Sequence, residues 1–137
     1  MNKENLVTLL VDKILKESDA LKNQWNNPQD TTTKHFILDN LLPNEITLQI
    51  YDAFPKDAKG FYSRESFREK KKTSADLSNY EKILSDITYA IQDERVVNLI
   101  ANITGFEAIE PDPKLYAGGL SMMFKGDYLN PHIDNSH

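Results

Sequence analysis

Leu6, Leu10 and Ile14 recur at helical spacing, with Leu9, Val11 and Leu15 beside them, and predict an amphipathic helix from Leu6 to Leu21. Residues 23–33 are polar, hold Trp25 and Pro28, and include Thr31-Thr32-Thr33, a run that favours extended chain over helix; a connector is expected there. His35 to Leu38 is a short strand candidate. Residues 39–44, with Pro43, supply a turn and the chemistry of a helix start before Ile46, Ile50 and Phe54 at four-residue intervals. Pro55 ends that helix.

From Lys56 to Asp76 the apolar pattern lapses. The segment holds Gly60 and a basic cluster of Arg64, Arg68, Lys70, Lys71 and Lys72, and a long loop is expected. The acidic balance of the chain favours a solvated loop, whereas Tyr62 and Phe67 among the charges favour a lid over an anionic ligand. Ser78 and Glu81 have capping-box spacing, so a helix through Ile83, Ile87, Ala90 and Ile91 follows. Asp93 is placed to cap a further helix carrying Val96, Val97 and Ile100, and Gly105 to end it in a left-handed conformation. Beyond Gly105, short apolar stretches alternate with Pro111, Pro113, Gly118, Gly119 and Gly126, the composition of strands and turns. Leu120, Met122 and Phe124 alternate with Ser121 and Met123, predicting a strand that leads through a turn at Gly126 to a second strand bearing His132. The class is α+β: one domain, 1–137, mainly helical over 1–105 and β-rich over 106–137.

Composition narrows the chemistry. Sixteen basic against twenty-one acidic residues give a net charge of −5, which argues against a dominant electrostatic role on nucleic acid or anionic membrane and reads as solubility. No cysteine is present, so disulfides and thiolate metal sites are excluded, and any metal is held by histidine, carboxylate and water. The N-terminal apolar residues are soon broken by Asp12, Lys13, Lys16 and Glu17, which leaves neither a signal-peptide core nor a membrane span. A cytoplasmic protein is expected.

Two of the three histidines fall in the last six residues. On an extended strand His132 and Asp134 share a face, with Ile133 behind them, so an imidazole and a carboxylate aim at one point. A non-haem Fe(II) oxygenase uses such a pair with one further histidine as a facial triad that leaves positions open. The residues alone leave a second reading, a surface histidine near a hydrogen-bonding aspartate. Tyr128 and Asn130 lie on the ligands' face if the extended phase holds; they support the ligands, line a pocket, or simply end a strand near a polar mouth. His137, offset by five residues from His132, is read as a surface residue, and His35 as structural.

The stretch from Leu115 to His137, LYAGGLSMMFKGDYLNPHIDNSH, resembles the region around the first two iron ligands of prolyl-hydroxylase-like Fe(II)/2-oxoglutarate dioxygenases, and His35 to Phe54 looks like their opening strand and helix. The resemblance implies a double-stranded β-helix, a jelly-roll relative, with N-terminal helices packed on its first part and the barrel incomplete in this chain. It implies His132 and Asp134 as metal ligands and catalytic residues, Fe(II) as the metal and 2-oxoglutarate as cosubstrate. Tyr128, Phe124 and Met122 become candidates to line the cosubstrate site, with barrel core as the competing reading for Met122 and Phe124. The family's distal histidine and its cosubstrate-binding arginine or lysine find no match here, and many relatives carry tyrosine where Phe124 stands. The chain is therefore expected to be the N-terminal part of a hydroxylase, inactive alone, with a partner chain or second copy completing the barrel. Peptidyl, carbohydrate and small-molecule substrates are all open. A non-catalytic binding or assembly module and a cupin-like metalloprotein are the competing functions.

Overall fold

The computed structural model describes residues 1–116 and 118–132. Helix α1 runs Lys3–Asn26, longer at both ends than the apolar spacing marks. At its start Asn2 Oδ1 accepts from the Asn5 N–H at 3.0 Å, and Asn5 Oδ1 accepts from the Asn2 N–H at 3.3 Å, a reciprocal cap built from two asparagines. At its end the expected connector is still helical through Trp25, whose ring meets Phe36 and Phe106 edge-on at centroid separations of 6.2 and 5.4 Å. Leu6, Val7, Leu10, Ile14 and Leu21 form the buried stripe.

His35–Leu38 forms no strand, because no neighbouring strand pairs with it. The Gln24 side chain takes the neighbour's place: its Oε1 accepts from the Ile37 N–H at 2.8 Å and its Nε2 donates to the Ile37 carbonyl at 3.2 Å. Phe36 and Leu38 turn in to the core around α1 while Ile37 faces out, so the local conformation alternates without a ladder. Helix α2 follows over Asn44–Ala53, as Ile46 and Ile50 predict.

The expected loop at 56–76 is instead an antiparallel hairpin of β1 (Tyr62–Glu65) and β2 (Glu69–Ser74). It carries no apolar alternation because opposite charges hold it. Arg64 and Lys71, directly opposed, share Glu69 at 3.6 and 2.7 Å, while Lys70 meets its opposed Glu65 at 3.4 Å. Such cross-strand pairs contribute about 0.2–1 kcal/mol each. The Ser78 capping box does not form either. Asp76 accepts from the Ser78 N–H at 3.1 Å and caps a 3-10 turn at Leu77–Asn79, and helix α3, Lys82–Ile91, begins after it. Helix α4, Glu94–Thr104, has the expected Asp93 cap and left-handed Gly105.

Two short strands complete the sheet, β3 (Leu120–Met122) and β4 (Tyr128–Leu129). Both pair antiparallel with the same edge of β2: Met122 lies opposite Lys72 and Leu120 opposite Ser74, then Tyr128 opposite Lys70 and Leu129 opposite Glu69. The Gly126 turn therefore does not reverse the chain. Residues 123–127 loop out and return to the same neighbour in the same direction, closed by Asp127 N–H to the Phe124 carbonyl at 2.9 Å and Phe124 N–H to Asp127 Oδ2 at 2.8 Å.

The fold is α+β, with a four-stranded antiparallel sheet, not closed, among the described residues. One apolar cluster joins α1 to Ile46, Ala90, Val96 and Ile103; a second, of Leu77, Leu84, Leu115 and Leu120, joins α3 to the sheet. No described helix is long and apolar enough to cross a membrane.

Arg95 clamps the N-terminal ends of α1 and α4. Its two terminal nitrogens reach Glu4 at 2.6 and 2.9 Å and its Nε reaches Asp93 at 2.8 Å, while Lys3 meets Asp93 at 3.2 Å. The hydrogen bond from Arg95 is the largest cause holding both carboxyls below their ordinary values. The lowered values mean that the unfolded chain binds more protons as acid is added, so stability is complete above the unfolded values of 4.5 and 3.8 and is lost as pH falls through the folded ones. Urea unfolding is expected to show a fall in stability that begins at about pH 5 and continues below about pH 3. In Arg95→Leu that fall is shallower.

Gly119 has φ +105 and lies against the end of β2; a Cβ there would overlap the Ser74 carbonyl oxygen, with Ala75 Cα at 3.1 Å. Gly119→Ala is expected to cost about 2–4 kcal/mol in the same measurement, from left-handed strain and backbone overlap together.

Candidate functional site

The strand that leads to His132 is fixed to the sheet by backbone and side chain together. After β4, the Asn130 N–H donates to the Arg68 carbonyl at 2.8 Å, and the Asn130 side-chain amide donates to the Phe67 carbonyl at 2.6 Å. The Tyr128 hydroxyl donates to the Ser66 carbonyl at 2.7 Å. Three successive carbonyls of the β1–β2 turn thus receive donors from two residues just ahead of His132. Pro131 has no N–H, so the ladder cannot continue past Asn130.

His132 follows immediately and is exposed. Its Nδ1 lies 2.7 Å from the Asn130 carbonyl, which accepts a proton carried there. That tautomer puts the ring's lone pair on Nε2, the form a metal takes from neutral imidazole. Asp134 and His137 lie outside the described residues, so the expected convergence of His132 with Asp134 has no described counterpart. Among the described residues no group of three metal-ligating side chains occurs.

Tyr128 and Asn130, expected to support ligands or line a pocket, spend their polar atoms on the hairpin turn. Met122 and Tyr128 share one face of the sheet, since they oppose Lys72 and Lys70, two residues apart on β2. Leu120 lies on that face too and is buried in the cluster on α3. Phe124 departs from the expected alternation: it sits in the looped-out turn, is exposed, and belongs to no core. Two concavities of about 470 and 270 Å³ lie along α1 against residues 37–44, and neither includes His132, Tyr128, Met122 or Phe124.

Opposite β4, Glu69 ties the hairpin's charges to this end of the sheet. Its carboxyl is held below the ordinary value by the Lys71 hydrogen bond first, which outweighs the opposing effect of burial, with lesser help from the positive charges of Lys71, Arg64 and His132. The sequence reading missed the role of Ser66, Phe67 and Arg68, because they act through main-chain carbonyls and any residue types there would supply them. The complementary order of Arg64-Glu65 and Glu69-Lys70-Lys71 about a three-residue turn is the signal that could have revealed the hairpin.

Asn130→Ala removes the side-chain donor to Phe67 while leaving the backbone bond to Arg68. The expected cost is about 0.5–1.5 kcal/mol, felt locally. Amide hydrogen exchange should speed up at Leu129 and Glu69–Lys70 and stay unchanged in α1.

No family model, curated protein or solved structure matches the chain, so the case for any chemistry rests on its own side chains.

Proposed function

We propose that the chain is part of an Fe(II)/2-oxoglutarate-dependent dioxygenase, a hydroxylase, built on a double-stranded β-helix of which the four-stranded sheet forms the opening portion. The observation that carries this reading is His132 at the end of a strand pinned to the sheet by Tyr128 and Asn130, with Nδ1 against a carbonyl. That arrangement suits a ligand presented from a rigid element with its tautomer already selected.

The described residues fit the metal in part. His132 supplies one nitrogen, Asp134 is assigned the carboxylate, and the third ligand and the cation for 2-oxoglutarate come from residues outside those described. Bound there, iron with 2-oxoglutarate would supply the oxidising power for inserting oxygen into a C–H bond. The chain's own part is placement. Pro131 stops the ladder so that His132 leaves the sheet at a set point, and the looped-out 123–127 segment lets β3 and β4 keep their register on β2. The Asn130 carbonyl, against Nδ1, holds the ring's orientation and directs Nε2 away from the strand as the nitrogen that would ligate.

Anaerobic titration of Fe(II) and 2-oxoglutarate into the longest available form of the protein, one that supplies the third ligand and the cation, is expected to raise the weak visible charge-transfer absorption of a chelated iron site. Substituting Mn(II) should broaden the His132 ring resonances and leave those of His35 sharp. His132→Ala and Asp134→Ala should each weaken metal binding by about tenfold or more, since removing a ligand costs at least what removing a supporting contact does. A well-folded protein of that length that shows neither the absorption nor the selective broadening would overturn the assignment and favour a non-catalytic module.

A further inference from the structure

The β1–β2 hairpin is a basic projection on an acidic protein. Between Tyr62 and Ser74 stand five basic residues and two acidic ones, in a chain whose net charge is −5. Its aromatic residues are turned to solvent: Phe67 at the turn is 89% exposed and Tyr62 is 79% exposed. β2 is paired on both edges, but β1 pairs only with β2 among the described residues, and all four of its residues are exposed. An exposed strand edge is a template for another strand, and natural proteins usually blunt or cover one.

Both faces of this edge offer a cation. On one face Arg64 stands beside Tyr62's side of the strand and shares Glu69 with Lys71, two positive charges on one carboxylate. On the other, Lys72 reaches across from β2 so that its ammonium lies 2.9 Å from the Ser63 hydroxyl, on β1 itself, and no carboxylate among the described residues pairs with it. A strand laid along β1 would send alternate side chains to each face and meet a cation on both.

We propose that the free edge of β1 docks an extended acidic segment of another protein by strand addition. Main-chain hydrogen bonds supply affinity, and Arg64 and Lys72 select for carboxylates. Nucleic acid fits less well: Glu65 and Glu69 lie among the cations and oppose a continuous line of phosphates, and phosphodiesters cannot use the backbone donors and acceptors in register.

The test uses the whole chain and three fluorescein-labelled octapeptides, alternating glutamate with threonine, lysine with threonine, and glutamate with proline. The proline peptide keeps the charge and loses half of the backbone donors. The glutamate–threonine peptide is expected to bind at least tenfold more tightly than either other peptide, more weakly at higher salt, and to slow amide exchange at residues 62–65. Arg64→Glu and Lys72→Glu should each weaken it at least fivefold. Lys72→Glu leaves the hairpin's ion pairs intact, so its effect separates lost recognition from a lost fold. Equal binding of the glutamate–proline peptide, tighter binding of a uridine octanucleotide, or no change on Lys72→Glu would each overturn the proposal.

Discussion

The shared pairing of β2 is the constraint on which the rest of the molecule depends. Glu69–Ser74 contains no residue that would drive burial by itself, yet among the described residues β2 is the strand with partners on both edges. The hydrogen bonds of two ladders offset the cost of ordering a run of lysines, and the charge pairs with β1 keep those lysines from repelling one another. At its C-terminal end β2 meets the helical layer, where Ser74 is buried opposite Leu120 and Gly119 approaches closely enough that no Cβ fits. At its N-terminal end it holds β4, and through β4 the position of His132. The candidate ligand is thus placed relative to the helices by a polar strand.

Helices were legible where burial follows a stripe. Leu6, Leu10 and Ile14 marked α1, Ile46 and Ile50 marked α2, and Asp93 with Gly105 marked both ends of α4, because there a local preference and the tertiary core agree. The errors share a physical cause. Where one side chain does the work of a backbone element, pattern misleads: Gln24 satisfies Ile37 in place of a neighbouring strand, and Asp76 caps a 3-10 turn at Leu77–Asn79 that draws Ser78 in ahead of α3. Where charge complementarity replaces apolar alternation, as in the hairpin, the strands carry no period-two apolar signal and their sequence has the polar character of a loop.

The candidate site was half legible for the same reason. Alternation placed Met122 on the face of Leu120, and the pairing of β3 with β2 agrees. The alternation then breaks at Met123, because the sheet absorbs the next five residues as an excursion and resumes with Tyr128. Counting by twos from Leu120 carries Phe124 onto the core face, whereas the turn that Asp127 closes leaves it exposed. A register that depends on an insertion between two half-strands cannot be counted from one end; it has to be read from the partner strand.

The hairpin turn links the two edges of this small sheet. Ser66, Phe67 and Arg68 accept from Tyr128 and Asn130 on one side, and they join β2 to the exposed β1 on the other. Each of these bonds is worth about 1 kcal/mol, so the turn and the segment before His132 share an ordering cost of the same scale as the bonds that bind them. Ordering one therefore reduces what remains to be lost in ordering the other, and by linkage the effect runs equally in both directions. The position of the imidazole and the rigidity of the β1 edge are for that reason a single property of the fold, set by three carbonyls that no side-chain pattern records.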